Sequence, residues 1–217
     1  EAEYVYNGEI GFAQIVKNNW KIDVSAYYTF LQNAMVRRDF SFNGQDSIVY
    51  QGELSQVKAI QNAANAHVYG AQVGLEAKLP HGFGLNAVYN YQRGREELPD
   101  GTRSASRHAA PMFGAAHVTF KHKGLLMDLY TLFSGGVSFE NLPEEEKGKG
   151  YLYAIDEDGN PFSPAWATVN LKTSYHLNKN FSISAGMENI LDLRYKSYSS
   201  GIAAAGRNFI LSGKVSF

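Results

Sequence analysis

Apolar and polar residues alternate one by one through most of the chain, as in β-strands that have one apolar and one polar face. The clearest example is residues 165–176, where Val169 and Leu171 fall on one face and Asn170 and Lys172 on the other. This pattern predicts about nine strands. They cover residues 4–16, 21–30, 72–79, 85–92, 112–122, 125–134, 165–176, 181–188 and 208–217.

Four tight reversals alternate with four long polar loops between these strands. The reversals are Lys17-Asn18-Asn19, residues 80–83, Lys123-Gly124 and residues 178–180. The long loops cover about residues 39–67, 95–111, 135–164 and 191–206. Short turns on one side and long loops on the other are typical of bacterial outer-membrane barrels. We therefore predict an all-β fold, an antiparallel up-and-down transmembrane β-barrel with its long loops facing the medium.

Alternation alone does not say which face is inside, and a soluble all-β binding module would show the same pattern with its apolar face inward. Loop asymmetry, charged side chains on the polar face and aromatic residues near strand ends favour the membrane form, with the apolar face toward lipid. The aromatic residues expected at the membrane boundaries are Tyr27, Tyr28, Phe30, Tyr89, Tyr91, Phe133, Trp166, Tyr175, Phe181, Phe209 and Phe217.

This assignment of faces makes an energetic prediction. Arginine at Leu171 or Leu211 should cost about 2 to 4 kcal/mol, because these side chains would meet lipid near mid-strand. Arginine at Asn170 or Ser212, on the polar face, should cost much less.

The composition of the chain excludes several other classes of protein. The mean hydropathy is -0.30 and no run approaches the roughly 18 apolar residues of a membrane helix. A net charge of -1 with scattered basic residues argues against a nucleic-acid partner. The chain has 0 cysteines, which excludes disulfides, a thiol nucleophile and thiolate metal sites. Its N-terminus lacks the basic start and apolar core of a secretory signal.

An odd number of strands is unusual, since single-chain bacterial barrels mostly have an even number. If the tight turns are periplasmic, the first strand begins on the extracellular side. We therefore expect residues 1–217 to be the C-terminal piece of a longer barrel.

The end of the chain carries a recognisable signature. Residues 181–195 contain Glu188-Asn189-Ile190, Asp192 and Tyr195, and Gly206-Arg207-Asn208-Phe209 leads into a last strand that closes on Phe217. This resembles the C-terminus of TonB-dependent outer-membrane receptors, where Glu-Asn-Ile/Leu-x-Asp-x-x-Tyr is followed by Gly-Arg-x-Phe/Tyr and a terminal aromatic residue. Residues 65–77 resemble a further strand of the family, with Gln72 where the family often has Glu, and residues 110–114 resemble a strand opened by Pro.

The resemblance implies a barrel of roughly 22 strands, closed by an N-terminal plug domain that is absent from this chain. Such a receptor imports a scarce nutrient (a siderophore, haem, cobalamin, a metal complex or a glycan) across the outer membrane of a Gram-negative cell. It implies several partners: the lipid bilayer and lipopolysaccharide, the chain's own N-terminal strands and plug, the inner-membrane energy-coupling protein, the barrel-insertion machinery and a small-molecule ligand. No cofactor is expected.

The resemblance also implies roles for particular residues. Phe209, Leu211, Val215 and Phe217 fit the terminal assembly signal of the family. The signature residues Glu188, Asn189, Asp192 and Arg207 are expected to hold the last long loop by hydrogen bonds rather than to catalyse a reaction.

Candidate chemistry outside the signature is sparse. Arg107 and His108, on a long loop, are candidate ligand-binding residues, and the alternative is a loop histidine with no ligand. Residues 144–147 are expected to be an exposed loop face and residues 156–160 a solvated turn. A small outer-membrane barrel enzyme remains an alternative, but Ser199, Ser200, His108 and Asp192 show no recognisable catalytic spacing, so we expect no enzyme and no catalytic or metal site.

Overall fold

The computed structural model describes residues 2–98, 101–106, 109–110 and 112–217, without the side chains of residues 36, 37, 63 and 64. None of the helices in these ranges is long and apolar enough to cross a membrane. The strands are β1 Tyr4–Val16, β2 Trp20–Asp39, β3 Ser47–Tyr50, β4 Glu53–Gln56, β5 Lys58–Lys78, β6 Phe83–Glu97, β7 Arg103–Ala105, β8 Met112–His122, β9 Leu125–Ser134, β10 Ala154–Ile155, β11 Pro161–Phe162, β12 Trp166–His176, β13 Phe181–Glu188 and β14 Asn208–Val215. One short α-helix, α1, spans Glu144–Lys147, and single 3-10 turns occur at Pro80–Gly82, Phe139–Asn141 and Gly150–Leu152.

Nine of the strands form one antiparallel meander in the order β1-β2-β5-β6-β8-β9-β12-β13-β14, and β7 adds to one end of β6. We call this sheet the wall. Two small hairpins, β3-β4 and β10-β11, lie in the long loops. The wall is open, because within the described ranges β1 and β14 are its two edges and do not pair with each other. The predicted all-β, antiparallel, up-and-down architecture is confirmed.

The four tight turns lie where the sequence predicts them. Lys123 and Gly124 have φ angles of 42° and 82°, the left-handed pair that joins two strands with only two residues. His81 and Gly82 are also left-handed, with φ angles of 60° and 85°. A Cβ atom at Gly82 would lie 2.2 Å from the carbonyl oxygen of Lys121, so only glycine fits there.

The long loops all lie at the opposite end of the wall. They cover residues 40–57, 98–111, 135–165 and 189–207, and are called the first to fourth long loops. The predicted end of the first loop, at residue 67, is wrong because β5 already begins at Lys58. Residues 61–66 include three alanines and two asparagines and show no alternation of apolar and polar residues, so the pattern did not predict a strand there. Backbone pairing with β2 stabilises this part of β5 instead.

Strand register confirms the two faces. On the polar face, one row of directly paired residues crosses six strands: Lys21, Glu76, Asn86, His117, Tyr130 and Asn170. On the apolar face, a neighbouring row is Ile22, Leu75, Ala87, Ala116, Thr131 and Val169. The apolar face has little protein cover, and Leu129 and Leu211 are 47% and 80% exposed. Such a face requires a non-aqueous environment or another partner.

Aromatic side chains form two belts on the apolar face. The belt near the tight turns contains Trp20, Phe83, Phe120, Tyr175 and Phe181, and the belt near the long loops contains Tyr28, Phe30, Tyr69, Tyr89, Tyr91, Phe133 and Phe209. Trp20 and Tyr28 are eight residues apart, about 26 Å along a strand. Tilt reduces this to roughly the height of the apolar band of an outer-membrane barrel.

Two aromatic residues predicted for these belts lie on the polar face instead. Tyr27 pairs with Gly70 and donates a hydrogen bond of 2.9 Å to Gln92, whose side chain shares that face. Trp166 pairs with Ser134 and stacks on Tyr195 at 4.2 Å between ring centroids. Their position near strand ends led to the prediction that they belong to the belts. The face of the sheet, however, is set by whether a residue occupies an odd or an even position along its strand.

Candidate functional site: the loop cluster

The third and fourth long loops pack together at one end of the wall and, with β7, form what we call the loop cluster. Its small apolar core is Val137, Leu142 and Tyr153, with Leu152 and Tyr198 packed against it. Tyr198 comes from the fourth loop and the other four from the third, so burial of apolar area joins the two loops.

Glu146, in α1, is fully buried at the centre of the cluster, with 0% of its surface exposed. Its carboxylate accepts hydrogen bonds from the hydroxyl of Tyr153 and, at 2.6 Å, from the hydroxyl of Ser199 in the fourth loop. Burial and the Glu146 carboxylate raise the pKa of the Tyr153 hydroxyl and raise that of Tyr198 to about 12. Both tyrosines therefore stay protonated, and Tyr153 remains a donor to the carboxylate.

The prediction of an exposed acidic face at residues 144–147 is wrong for Glu146, although Glu144 and Glu145 are exposed. The run looks uniform in sequence, but one turn of helix directs its third glutamate inward. The only hint in the sequence is Pro143, which starts the helix next to buried Leu142. The prediction of a turn at residues 156–160 holds, since Asp156 accepts bonds from the amides of Asp158 and Asn160.

Further contacts join the parts of the cluster to one another. The hydroxyl of Ser104, in β7, accepts a 2.8 Å bond from the Glu144 amide and thereby links the second and third loops. Lys196 donates to the Tyr151 carbonyl at 2.9 Å and links the third and fourth loops. These three loops are therefore held as one unit.

Asn189 fixes the point where the chain leaves β13 and enters the fourth loop. It is 4% exposed and left-handed, with a φ of 49°. Its backbone N–H donates a hydrogen bond of 2.8 Å to the side-chain oxygen of Asn170. Its side chain accepts from the backbone N–H of Leu193 and donates to the carbonyls of Leu193 and Ala205. Its side chain thus joins the two ends of the fourth loop to each other, and its backbone amide attaches them to the wall.

Asp192 and Arg207 complete this closure. The Asp192 carboxylate accepts a 2.8 Å bond from the Arg207 amide, and the Arg207 guanidinium donates to the Ile190 carbonyl at 2.9 Å. A Cβ atom at Gly206 would lie 2.8 Å from the Asp192 carboxylate. Asn189, Asp192 and Arg207 therefore make the loop-holding contacts that the sequence predicts for them. Glu188 instead contacts Lys172 and Tyr130 on the wall.

Below the cluster, the polar face of the wall carries a connected set of polar and charged side chains. Lys172 lies 3.1 Å from the Glu188 carboxylate and 5.1 Å from the ring centroid of Tyr130, which also donates to Glu188. His117 stacks on Tyr130 at 5.0 Å and lies 3.0 Å from Asp128. These groups are oriented by one another and form a continuous polar surface.

Cavities adjoin the loop cluster, among them the following two. One, of about 370 Å³, lies between the third and fourth loops and is lined by residues that include Trp166, Tyr195, Arg194 and Lys196. The other, of about 350 Å³, lies between β6 and the start of the third loop. Aromatic rings and basic side chains in the first can contact a planar or anionic molecule.

The predicted ligand-binding residues Arg107 and His108 lie outside the described residues. The hydrolase candidates Ser199 and Asp192 occupy separate contacts, with Glu146 and with the Arg207 amide. Within the part of the chain that the structure describes, no group of three or more His, Asp or Glu side chains is arranged to hold a metal ion. Sequence reasoning missed the contact of Glu146, Tyr153 and Ser199, because its members are far apart in the chain.

Comparison with known proteins identifies the class. The family described as "TonB dependent receptor-like, beta-barrel" matches residues 1–190. The chain therefore belongs to the family of TonB-dependent receptor β-barrels. No curated protein sequence matches it.

Solved structures show the same fold. A mutant of the ferric enterobactin receptor PfeA from Pseudomonas aeruginosa has a TM-score of 0.72 and 16% identity, over 99% of this chain and 31% of its own. The copper transporter OprC has a TM-score of 0.71 and 14% identity, over 99% and 31%. The FrpB iron transporter from Neisseria meningitidis has a TM-score of 0.69 and 13% identity, over 98% and 31%. This chain thus spans about a third of each.

Proposed function

We propose that this chain is the C-terminal part of the barrel of an outer-membrane receptor that imports a scarce nutrient. The observation that carries the proposal is the nine-strand wall with all its long loops at one end, in a chain that belongs to the TonB-dependent receptor family. An apolar outer face with two aromatic belts supports the membrane location. The tight turns then face the periplasm and the loop cluster faces the medium.

The polar face of the wall is the proposed contact surface for a plug domain. Its charges, such as Lys172 and Glu188, are oriented by neighbouring side chains and only partly covered within this chain. Energy from the inner-membrane coupling protein would reach the receptor through that plug. Alone, residues 1–217 should not transport.

The nutrient is proposed from chemistry and from the relatives together. The solved relatives are a copper transporter, an iron transporter and a ferric enterobactin receptor. A siderophore or other metal complex is therefore our first candidate, ahead of haem, cobalamin and glycans. The cavity lined by Trp166, Tyr195, Arg194 and Lys196 fits an anionic complex with planar groups. Arg107 and His108 remain candidate contacts on the second loop.

The last strand has a second proposed role. In β14, Phe209, Leu211 and Val215 are exposed on the apolar face, and Phe217 follows them. We propose that they are read by the barrel-insertion machinery, as the resemblance implies. We propose no catalytic role and no cofactor for the chain, since its family is one of receptors and its buried carboxylate serves a loop contact.

Membrane fractionation with mass spectrometry of the C-terminal peptide tests the proposal. We expect Gly213-Lys214-Val215-Ser216-Phe217 in an outer-membrane polypeptide roughly three times heavier than 24.0 kDa, because the chain spans 31% of its structural relatives. A native species of 24.0 kDa, or one that stays in the aqueous fraction, would refute it in favour of a small barrel or a soluble module.

Uptake by cells tests the transport step. We expect deletion of the native gene to abolish accumulation of one radiolabelled metal complex in an energy-dependent assay, and the full-length gene to restore it. Uptake that persists unchanged in the deletion strain for iron, copper, haem and cobalamin sources would contradict the importer proposal.

A further inference from the structure

Positive charge is concentrated at the tight-turn end of the wall. Six lysines with exposed side chains lie in or beside the tight turns: Lys17, Lys78, Lys121, Lys123, Lys179 and Lys214. We call them the turn-end lysines. Among the described residues none of the six forms an ion pair, whereas four lysines elsewhere each pair with a carboxylate: Lys21, Lys58, Lys147 and Lys172.

The segments that carry the turn-end lysines contain no acidic residue. Asp and Glu are absent from residues 14–20, 77–84, 119–125, 175–182 and 212–217. The third long loop, at the other end of the wall, has seven acidic residues and only two basic ones. The two ends of the wall therefore differ in charge, and the tight-turn end is positive although the net charge of the chain is -1.

The turn-end lysines do not point toward the lipid side of the wall. Strand register places three of them on the polar, inward face: Lys78, Lys121 and Lys214. The other three occupy the turns themselves: Lys17, Lys123 and Lys179. At this level the outward positions of the described strands carry no lysine but the aromatic residues Trp20, Phe83, Phe120 and Phe181. With the proposed membrane orientation, the six ammonium groups face the periplasm and the inner opening of the barrel.

The spacing of the turns indicates the shape of the partner. Neighbouring strands lie about 4.8 Å apart, so the turns of successive hairpins lie about 10 Å apart and the four turns span about 30 Å. Lys17, Lys123 and Lys179 occupy three of these four turns. This row of separated positive charges matches an extended chain with repeated anionic groups.

The type of residue indicates the same partner. Lysine is a flexible, strongly hydrated point charge, and it is depleted at the cores of interfaces between folded proteins. A row of exposed lysines therefore favours a hydrated polymer over a protein domain. Since the row faces the periplasm, we look for that polymer there.

We propose that Lys17, Lys123 and Lys179 bind peptidoglycan through the carboxylates of its peptide side chains, which repeat along the glycan. Lys78, Lys121 and Lys214 strengthen the positive potential at the same end. This contact would hold the receptor against the cell wall, on the side opposite to the loop cluster. The inference goes beyond nutrient import, but it rests on the membrane orientation of the proposed function.

Co-sedimentation of the full-length receptor, in detergent, with insoluble peptidoglycan sacculi tests the contact. The probes are unmodified sacculi and sacculi whose carboxylates have been converted to amides. We expect K17Q/K123Q/K179Q to bind unmodified sacculi about tenfold more weakly than wild type, since each exposed ion pair contributes roughly a factor of two. Wild type should bind amidated sacculi as weakly as the variant does, and added salt should weaken its binding to unmodified sacculi.

Matched variants keep the test specific. K58Q/K147Q/K149Q removes the same charge from the loop end and should bind like wild type. K17R/K123R/K179R keeps the charge and should also bind like wild type. Heat-modifiable migration in gels reports folding. If the triple glutamine variant fails to fold, K179Q/K214Q, which avoids the left-handed positions 17 and 123, should still lose about fourfold.

Equal binding of both kinds of sacculi by wild type, an unchanged affinity in K17Q/K123Q/K179Q, or an equal loss in K58Q/K147Q/K149Q would overturn the contact. Stronger competition by micelles with phosphatidylglycerol than by soluble peptidoglycan fragments of equal charge would also overturn it, in favour of lipid headgroups. A receptor that fractionates with the outer membrane and imports its nutrient, yet gives one of these results, refutes only the cell-wall contact. A receptor absent from the outer membrane refutes the orientation on which the inference rests.

Discussion

The wall and the loop cluster are stabilised in different ways. The wall repeats one rule over nine strands, an apolar residue outward and a polar residue inward, with backbone bonds between all neighbours. The loop cluster has few regular bonds and depends on single side chains, above all Glu146 and Asn189. The wall should therefore tolerate the loss of one alternating residue, whereas the loop cluster should not tolerate the loss of one of these side chains.

We therefore expect the stability of the wall to fall most when a charged side chain is placed on its outward, apolar face. Leu171→Arg in the full-length receptor should lower the free energy of unfolding by about 2 to 4 kcal/mol, measured by reversible denaturation in lipid. Ser212→Arg, on the polar face of β14, is the control and should cost much less. Equal losses would reverse our assignment of faces.

Asn170 is no longer a suitable control for that experiment. The sequence predicted a tolerant polar position, but Asn170 is 3% exposed and bonds Thr168, the Tyr130 carbonyl and the Asn189 amide. We now expect arginine there to disrupt the attachment of the fourth loop.

Asn189→Ala should have the next largest effect, about 2 to 3 kcal/mol. It combines the strain of alanine in a left-handed conformation with the loss of the side-chain bonds from buried Asn189 to Leu193 and Ala205. Hydrogen exchange should rise across residues 189–207 while β9 and β12 stay protected. Asn43→Ala shares the left-handed φ, at 51°, on an exposed loop, and should leave exchange in the fourth loop unchanged.

Glu146→Gln should destabilise the loop cluster by about 1 to 2 kcal/mol, because an amide keeps the shape but weakens two charge-assisted bonds. Exchange should rise in both the third and fourth loops, although the mutation lies in only one. Glu157→Gln removes an exposed charge from the same loop and should change neither. A response confined to the third loop would mean that Ser199 is not held by Glu146.

The smallest effect is expected for Lys147→Gln. Lys147 lies 2.8 Å from Glu144 and 5.1 Å from the ring centroid of Phe139, both near the surface. Its loss should cost about 0.5 kcal/mol in local stability, measured by the same exchange experiment. A loss as large as that of Glu146→Gln would mean that α1 is held by its surface rather than by its buried glutamate.

The same contrast explains how much the sequence could predict. Alternation located the strands, turns and faces because those depend on parity and local turn residues. It failed at residues 58–67, where β5 has no alternation, and at Tyr27 and Trp166, where position near a strand end was a weaker guide than parity. Glu146 could not be predicted, since its partners Tyr153 and Ser199 are 7 and 53 residues away and only the folded loops bring them together.

The joining of the third and fourth loops by Glu146 and Ser199 has an immunological consequence. A surface built from two loops whose joining residues lie 53 positions apart in sequence is a discontinuous determinant. Antibodies raised against the folded protein should recognise this surface but not synthetic peptides of either loop.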